Sequence, residues 1–297
     1  MTGTPIPGGT IAETTRQIAR ALAAAGLSDA ASEARWLISA ALGLSSADLV
    51  SRSDDAITAV QATKLAAYLD RRLRHEPLSR IAGQREFYGR VFDVTPATLD
   101  PRPDTETLID AALEMLSGEA RVGPLRILDI GTGTGCILLT LLAELPQAIG
   151  IGTDISHEAL AVARANADHL GLAHRATFIA ADLGADVASP FDVVVSNPPY
   201  IRSGDIAGLA PAVRQYDPHL ALDGGADGLE MYRRIVADLA RLVPNGFVLL
   251  ETGHDQAQDV ADLLRARCAK LAPNSLRIFN DVAGIPRVVA ARTRTVT

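Results

Sequence analysis

The chain has 297 residues, of which 48% are hydrophobic and 21% charged, with a formal net charge of −7. These values exclude a disordered chain, and the length predicts two domains. Residues 1–80 carry nine basic and eight acidic side chains and the rest nineteen and twenty-seven, so neither part has the positive charge that duplex nucleic acid requires.

The N-terminus, the apolar stretches and the cysteines bear on location. The first ten residues lack the basic and apolar regions of a secretory signal, and the apolar stretch at 136–145 is too short to cross a bilayer. Cys136 and Cys268 are too few for a disulfide scaffold, and the six histidines lack the spacing of metal ligands. We expect a cytoplasmic monomer that binds no metal.

Residues 1–83 predict a small helical domain. Apolar residues recur at helical spacing in three segments, 11–27, 30–42 and 56–73. Thr10 and Glu13 have the spacing of a capping box, and Pro77 predicts a helix stop. The third helix ends in three arginines, Arg71, Arg72 and Arg74, which we expect in solvent, with contact to a partner RNA or protein as the alternative. No glycine-rich or catalytic cluster lies here, so this domain is predicted to serve recognition.

Residues 84–97 predict a β-hairpin linker, and residues 98–297 predict an α/β domain. Helices are predicted at 106–116, 136–145, 157–170, 229–242 and 256–271. Strands are predicted at 126–130, 149–154, 176–181, 191–196 and 246–251, with two more near 276–281 and 287–291. Apolar strands between amphipathic helices indicate a mostly parallel sheet covered on both faces. The last two strands have no helix between them, which predicts one antiparallel pair.

A glycine-rich loop follows the first strand of this sheet. Its residues are Gly131, Thr132, Gly133, Thr134 and Gly135. Glycines let the backbone turn tightly and approach a ligand closely, and the following helix N-terminus favours a negatively charged group. The spacing is G-x-G-x-G, which differs from the G-x-G-x-x-G of dinucleotide-binding proteins. The loop predicts a ligand site, with a simple tight turn as the alternative.

Acidic residues end the next two strands. Asp154 lies twenty-three residues after Gly131, where a carboxylate can accept hydrogen bonds from both hydroxyls of a ribose. A helix N-cap is the other role open to Asp154, although Ser156 suits that position better. Asp182 ends the third strand, where it either contacts an adenine or lies in solvent.

The segment Ser196-Asn197-Pro198-Pro199-Tyr200 leaves the fourth strand at its carboxyl end. Two consecutive prolines remove two backbone donors and stiffen the turn. The Asn197 amide and a backbone carbonyl held at a fixed distance can bind both hydrogens of a planar NH2 group, and Tyr200 can cover its face. The segment therefore predicts a site for a planar amino nitrogen.

Together these motifs resemble class I S-adenosylmethionine-dependent methyltransferases that modify planar amino nitrogens. Segments 101–107, 216–229 and 281–287 narrow the resemblance to the HemK/PrmC family, the peptide chain release factor glutamine N5-methyltransferases. The resemblance covers nearly the whole chain. It implies a Rossmann-like, mostly parallel seven-stranded sheet, preceded by a small helical substrate-recognition domain and a β-hairpin connector.

The resemblance also implies the reaction and the role of each candidate residue. A methyl group passes from S-adenosylmethionine to the side-chain N5 of the glutamine in the GGQ motif of class 1 release factors, leaving S-adenosylhomocysteine. The implied cofactor-binding residues are Gly131, Thr132, Gly133, Thr134, Gly135, Asp154, Ile155, Asp182, Leu183 and Asn197. The implied catalytic residues are Asn197, Pro198, Pro199 and Tyr200, which bind the substrate together with Arg102 and Pro103. Leu183 stands where family members often carry an aromatic residue, so apolar contact is expected in place of stacking on adenine.

Two other functions remain open at this point. A related enzyme methylates a glutamine of a ribosomal protein and tends to carry P-R-S-P where this chain has Pro101-Arg102-Pro103-Asp104, which favours the release factor. Methyltransferases that act on an amino group of a nucleic-acid base share N-P-P-Y, but they usually carry a basic module. The N-terminal domain here is close to neutral.

Overall fold

The structure is a computed structural model that describes residues 9–118, 123–267 and 271–294. By its contacts the chain divides into a helical unit, residues 9–84 with 210–216, and a sheet unit, which holds the other described residues. The predicted domain boundaries stay a prediction, and segment 210–216 groups with the helical residues although it lies far from them in sequence. Residues 1–8, used above to argue against a signal peptide, and Cys268 lie outside the described residues.

The helices and strands follow the predicted order. The helices are α1 Ile11–Ala24, α2 Ala30–Leu42, α3 Ser46–Ser51, α4 Ala59–Leu73, α5 Leu78–Ala82, α6 Glu106–Leu116, α7 Cys136–Glu144, α8 His157–His169, α9 Pro211–Arg214, α10 Glu230–Leu242 and α11 Ala257–Arg267. The strands are β1 Gln84–Phe87, β2 Arg90–Asp93, β3 Arg126–Ile130, β4 Ile149–Asp154, β5 Ala176–Ala180, β6 Val193–Ser196, β7 Phe247–Glu251, β8 Arg277–Asn280 and β9 Pro286–Arg292. The short helices α3, α5 and α9 were not predicted, because so few residues show no clear period.

The helical unit is built on an apolar core with capped helix ends. Its core includes Ile18, Leu22, Leu37, Ile38, Leu65 and Leu69. The predicted capping box is present: the Thr10 hydroxyl accepts a hydrogen bond from the backbone N–H of Glu13, and the Glu13 carboxylate accepts one from the N–H of Thr10. The predicted helix stop is also present, because α4 ends at Leu73, before Pro77, and Pro77 is the N-cap residue of a separate helix, α5.

The expectation that the arginines at the end of α4 lie in solvent is wrong for two of them. Arg72 donates two hydrogen bonds of 2.7 Å to the carboxylate of Glu33 on α2, and its side chain is only 12% exposed. Arg71 donates to Glu76 and to two carbonyl oxygens of α5. These contacts join neighbouring helices, so both arginines stabilise the helical unit.

The sheet unit contains a seven-stranded sheet in the order β5-β4-β3-β6-β7-β9-β8. Strands β3 to β7 pair in parallel, which confirms the predicted mostly parallel sheet. Strands β8 and β9 form the predicted antiparallel pair, and β9 also pairs antiparallel with β7, which was not predicted. The chain runs outward from β3 through β4 to β5 and then returns to the other side of β3 as β6. The carboxyl ends of β3, β4 and β6 therefore open the crevice in which ligands of such sheets bind.

Both faces of the sheet are covered. Helices α6, α7 and α8 contribute to one apolar cluster, and α10 and α11 contribute to the other. Along β6 the side chains alternate between the two, since Val193 and Val195 belong to the first cluster and Val194 to the second. Among the described helices, none is both long and apolar enough to cross a membrane.

Candidate active site

A cavity of about 510 Å³ lies at the carboxyl ends of β3, β4, β5 and β6. It brings together most of the predicted site residues. Those that line it are Arg102, Gly131, Thr132, Gly133, Thr134, Asp154, Ile155, Asp182, Leu183, Asn197 and Pro199. Pro103, Gly135, Pro198 and Tyr200 are not among the lining residues. The sequence therefore located one common site, although four of its predicted members stand back from the cavity wall.

Two glycines of the loop after β3 leave open space for a ligand. Gly131 and Gly133 have φ angles of +73° and +54°, and a Cβ atom added at either would meet no atom within 4 Å. Both line the cavity, so a side chain there would be strained and would take up ligand space. Gly135 serves packing, because a Cβ there would lie 3.3 Å from the Cβ of Ala163 on α8.

Most backbone N–H groups of this loop are already engaged within the protein. Gly131 and Thr132 donate to the carbonyl oxygen of Thr153, at 2.9 and 2.8 Å, and Gly133 donates to Oδ2 of Asp154 at 3.0 Å. A loop that cradles a pyrophosphate offers a row of free N–H groups. This loop instead offers a glycine surface, which suits a ligand without phosphate, such as a nucleoside joined to an amino acid.

Asp154 ends β4 and faces the cavity. Its Oδ2 accepts from Gly133 and its Oδ1 accepts from the N–H of Ser156 at 2.9 Å, so each oxygen keeps a further lone pair. The hydroxyl of Ser156 accepts from the N–H of Ala159 and caps α8, as predicted. The carboxylate of Asp154 is thus free of the capping role, and its binding of a ribose stays a prediction.

Asp182 and Leu183 lie at the end of β5 beside two residues of α10 that were not predicted. Oδ2 of Asp182 accepts from Nη2 of Arg234 at 2.7 Å, and Arg234 and Met231 both line the cavity. Their three-residue spacing places them on one face of α10. Leu183 has a φ angle of +57°, an unusual backbone conformation for leucine.

Asn197 follows β6 directly and is held by its neighbours. The hydroxyl of Ser196 donates to the carbonyl oxygen of Ile130 at 2.7 Å, which fixes the end of the strand against β3. Nδ2 of Asn197 donates to Oγ1 of Thr105 at 3.2 Å. Thr105 is buried and also lines the cavity. The Asn197 amide therefore has a defined orientation at the cavity wall.

Tyr200 is partly buried and is not among the residues that line the cavity. Its carbonyl oxygen accepts from Nε2 of Gln256 at 3.0 Å, and its ring packs against the core on the α10 side. Burial raises the pKa of Tyr200 to about 12. A Cβ at Gly224 would lie 2.8 Å from the carbonyl oxygen of Pro199, so glycine is needed where segment 216–229 packs against this turn. The predicted contact of Tyr200 with substrate stays a prediction.

Glu251 was not predicted as a site residue, yet it lies beside Asn197. It ends β7 and is 1% exposed. Burial raises its pKa to about 7, against the opposing effects of hydrogen bonds from Thr105 and Asn197 and of the charge of Arg287. Within the described part of the chain its Oε2 has no hydrogen-bond partner. An acidic residue that ends an otherwise apolar strand is the signal that could have identified it.

Two ion pairs connect segment 101–107 to distant residues of the sheet unit. Arg102 contacts the fully buried carboxylate of Asp217 at 2.5 Å, and Asp104 contacts Arg287 at 2.8 Å. Arg287 also contacts Asp281 at 3.0 Å, which accounts for the acidic and basic ends of segment 281–287. These contacts fix the backbone next to Thr105. Substrate binding by Arg102 and Pro103 stays a prediction.

Asp129 is a second buried carboxyl, and it is not one of the predicted site residues. It accepts from the Thr132 hydroxyl at 2.7 Å, and burial raises its pKa to about 7. It stands inside the sheet below the glycine loop, so it supports the loop rather than lining the cavity. Among the described residues, no cluster of three or more histidine, cysteine or acidic side chains could hold a metal ion.

The sheet order, the glycine loop after β3 and the acid after β4 define the class I methyltransferase fold, and comparisons with known proteins agree. Residues 106–213 match the family model of the methyltransferase small domain. A methyltransferase from Pyrococcus furiosus shares the fold, with 18% identity, a TM-score of 0.50 and coverage of 76% of this chain and 99% of that one. The T. thermophilus 16S rRNA N2 methyltransferase RsmC, solved with AdoMet and guanosine, has 19% identity, a TM-score of 0.50 and coverage of 71% and 50%.

The particular family follows from closer relatives. Residues 13–83 match the model of the PrmC N-terminal domain. The release factor glutamine methyltransferase of Bradyrhizobium diazoefficiens is 45% identical over 97% of this chain and 96% of its own length. That of Rhodospirillum rubrum is 47% identical over 92% and 82%. The chain belongs to the release factor glutamine methyltransferase family, which confirms the resemblance given by its motifs.

Proposed function

We propose that this chain transfers a methyl group from S-adenosylmethionine to the side-chain amide nitrogen of a glutamine in a class 1 peptide chain release factor. One observation carries the proposal. The Asn197 amide, fixed by Thr105, lines the same cavity as the glycine loop and Asp154. A group that can orient an amide nitrogen thus stands in one space with the surface that would hold the cofactor.

The cavity fits the cofactor in size and in chemistry. Its volume lies in the range of small-molecule sites, and the open space over Gly131 and Gly133 admits a ligand against the backbone. Asp154 would take the ribose hydroxyls, while Leu183 and Ile155 would contact the adenine side. When bound, S-adenosylmethionine supplies an electrophilic methyl group attached to a sulfonium.

The task of the protein is to direct a poor nucleophile. The lone pair of an amide nitrogen is delocalised into its carbonyl group, so attack requires the nitrogen to become pyramidal. Oδ1 of Asn197 and the carbonyl oxygen of Pro198 would accept hydrogen bonds from the two N–H groups of the substrate amide. The nitrogen lone pair would then point towards the methyl carbon. The new N–C bond forms as the S–C bond breaks, and a proton then leaves the nitrogen for water. Orientation of this kind lowers barriers by about 7–11 kcal/mol.

The charges of the helical unit argue against a nucleic-acid substrate. Four of its arginines are paired with carboxylates, namely Arg52 with Asp55, Arg71 with Glu76, Arg72 with Glu33 and Arg74 with Asp70. Phosphate binding needs a dense basic face, whereas residues 1–80 carry nine basic and eight acidic side chains in all. We propose instead that this unit recognises the folded release factor.

The sequence at 103–104 argues against the ribosomal-protein substrate. Asp104 holds Arg287, and a proline at that position, as in P-R-S-P, would remove this ion pair. The segment is therefore matched to segment 281–287 of this chain. That match supports the release-factor member of the family.

The test is label transfer followed by mass spectrometry. Wild-type protein and labelled S-adenosylmethionine are incubated separately with a class 1 release factor, with the same factor carrying glutamate at the GGQ glutamine, with ribosomal protein and with RNA. A mass increase of one methyl group on the GGQ glutamine, absent from the glutamate variant, is the expected result. Methylation of ribosomal protein or RNA in place of release factor would overturn the assignment.

A further inference from the structure

The strongest unexplained feature near the site is the buried carboxyl of Glu251. Strands β6 and β7 pair in parallel with Ser196 opposite Leu250, so the next residues, Asn197 and Glu251, emerge side by side. Glu251 is almost fully buried and does not line the cavity. It therefore touches no ligand there and can act only through the residues that do.

The hydrogen-bond chemistry of this group restricts the Asn197 amide. An ionised carboxylate only accepts hydrogen bonds, whereas an asparagine side chain has one end that donates and one that accepts. Nδ2 of Asn197 donates to Oγ1 of Thr105, and the polar hydrogens of both side chains favour the charged form of the neighbouring Glu251 carboxyl. The NH2 end of Asn197 is thus turned to the protein, which leaves Oδ1 as the atom available to an N–H in the cavity.

We propose that Glu251, with Thr105, is a positioning residue that fixes the orientation of the Asn197 amide, so that Oδ1 accepts from the substrate amide nitrogen. This inference rests on the proposed function. The ionised form of Glu251 is the competent one. A protonated carboxyl can donate to Oδ1 of Asn197 and turn the amide over, and the NH2 group would then face the NH2 group of the substrate, two donors without an acceptor.

Several other titratable groups lie around Glu251. Arg287 and Asp104 face it from β9 and from segment 101–107, and Tyr200, Tyr232 and Cys136 interact with it electrostatically. Burial raises the pKa of Tyr200 and of Cys136 to about 12, and that of Tyr232 well above its usual value. Glu251, with its pKa raised by burial to about 7, is the member of this group that titrates near neutrality.

The first experiment measures turnover against pH with the full-length chain and a release factor. In the wild type kcat should fall as the pH drops through about 7, because Glu251 is then protonated. Glu251→Gln should lower kcat about 10- to 100-fold, since misplacing an orienting group has that effect, and should remove the inflection. Its affinity for S-adenosylmethionine should not change. The matched control is Glu114→Gln, which changes an exposed carboxylate paired with Arg277. This variant should keep the wild-type profile.

The second experiment measures the contact of Glu251 with Asn197 and Thr105 without any turnover. A carbon-13 titration of Glu251 should give a higher pKa in Asn197→Ala and in Thr105→Val, because each removes a hydrogen bond that favours the carboxylate. Melting curves identify any variant that does not fold, and Thr105→Val tests the same contact if Glu251→Gln unfolds. An unchanged titration in both variants would overturn the contact itself.

The outcomes separate this inference from the proposed function. If wild type methylates the release factor and Glu251→Gln keeps both its kcat and its pH inflection, the positioning role is wrong and the function stands. If wild type does not methylate the release factor, the function is wrong. The titration then still decides whether Glu251 and Thr105 hold the Asn197 amide.

Discussion

The two units of the chain differ in where their carboxyl groups lie. In the helical unit many polar residues cap helices or form ion pairs, such as that between Arg72 and Glu33. In the sheet unit carboxyls lie fully buried, and Asp129 and Glu251 each have one oxygen without a partner among the described residues. A buried carboxyl that lacks a hydrogen bond lowers the stability of the fold, so its presence points to a functional role.

The difference indicates where the chemistry lies. Asp129 supports the glycine loop through Thr132, and Glu251 lies beside Asn197, so both buried carboxyls stand one layer behind the cavity. Perturbed acids cluster at functional sites because burial there sets charge and orientation. The exposed ion pairs of the helical unit, Arg52 with Asp55 and Arg74 with Asp70, contribute little beyond local stability. Substitutions should therefore cost activity in one unit and stability or substrate affinity in the other.

The largest effect is expected for Asn197→Ala. Its interaction with the substrate nitrogen strengthens as that nitrogen becomes pyramidal, so the loss should fall on turnover. We expect kcat to fall about 10²-fold or more, since one well-placed transition-state hydrogen bond contributes roughly 3–4 kcal/mol. Label transfer at saturating cofactor measures it. Cofactor affinity should drop far less, because Asp154 and the glycine loop are untouched. Wild-type turnover by this variant would refute the role given to Asn197.

A smaller effect, on binding, is expected for Asp154→Ala. The carboxylate would lose its hydrogen bonds to the cofactor and also its anchor on the Gly133 N–H. We expect affinity for S-adenosylmethionine to fall by about 1.5–3 kcal/mol, the range for hydrogen bonds to a charged group. Calorimetry measures this directly. The matched control is Asp168→Ala, which removes an exposed carboxylate on α8. Equal affinities of the two variants for S-adenosylmethionine would show that Asp154 does not bind the cofactor.

Asn197 and Asp154 also show how much of the site could be predicted from the sequence alone. Asp154, Asn197 and the glycine loop follow strands directly, so their clustering at one edge of a parallel sheet was predictable from order and spacing. The bounds of β3, β4 and α6 were predicted correctly, because their apolar residues fit one period and their ends carry turn or cap residues. Local pattern and fold agree at these positions.

Contacts between distant residues could not be predicted in this way. Thr105 and Asn197 are separated by 92 positions, and Arg72 and Glu33 by 39. A sequence pattern reports periodicity within a segment but not which side chain meets which across the fold. For this reason the arginines of α4 were placed in solvent and Glu251 was overlooked. The sequence also did not indicate that the Tyr200 ring packs against the apolar core.

Recognition by the helical unit can be tested on its exposed apolar residues. Val50 and Val60 are 78% and 81% exposed, although valine is usually buried. If this unit binds the release factor, Val50→Asp combined with Val60→Asp should raise KM for that protein about tenfold, or 1.4 kcal/mol, and leave kcat unchanged. Initial rates over a range of release factor concentrations give both constants. Val282→Asp, an exposed valine of the sheet unit, is the control, and equal KM values would exclude this surface from recognition.

The smallest effect is expected for Thr58→Ala, which tests whether the polar side chains of the helical unit are purely structural. The Thr58 hydroxyl accepts from the N–H of Gln61, and the Gln61 side chain accepts from the N–H of Thr58, which completes the capping box of α4. Its loss should lower the free energy of unfolding by about 1 kcal/mol, the usual value of an N-cap. Thr63→Ala is the control in the same helix, because its hydroxyl only donates to the Ala59 carbonyl oxygen and alanine favours a helix. Denaturant unfolding should separate the two variants while both keep wild-type kcat. A drop in kcat for Thr58→Ala would mean that the helical unit takes part in the chemistry, and the contrast between the two units would then fail.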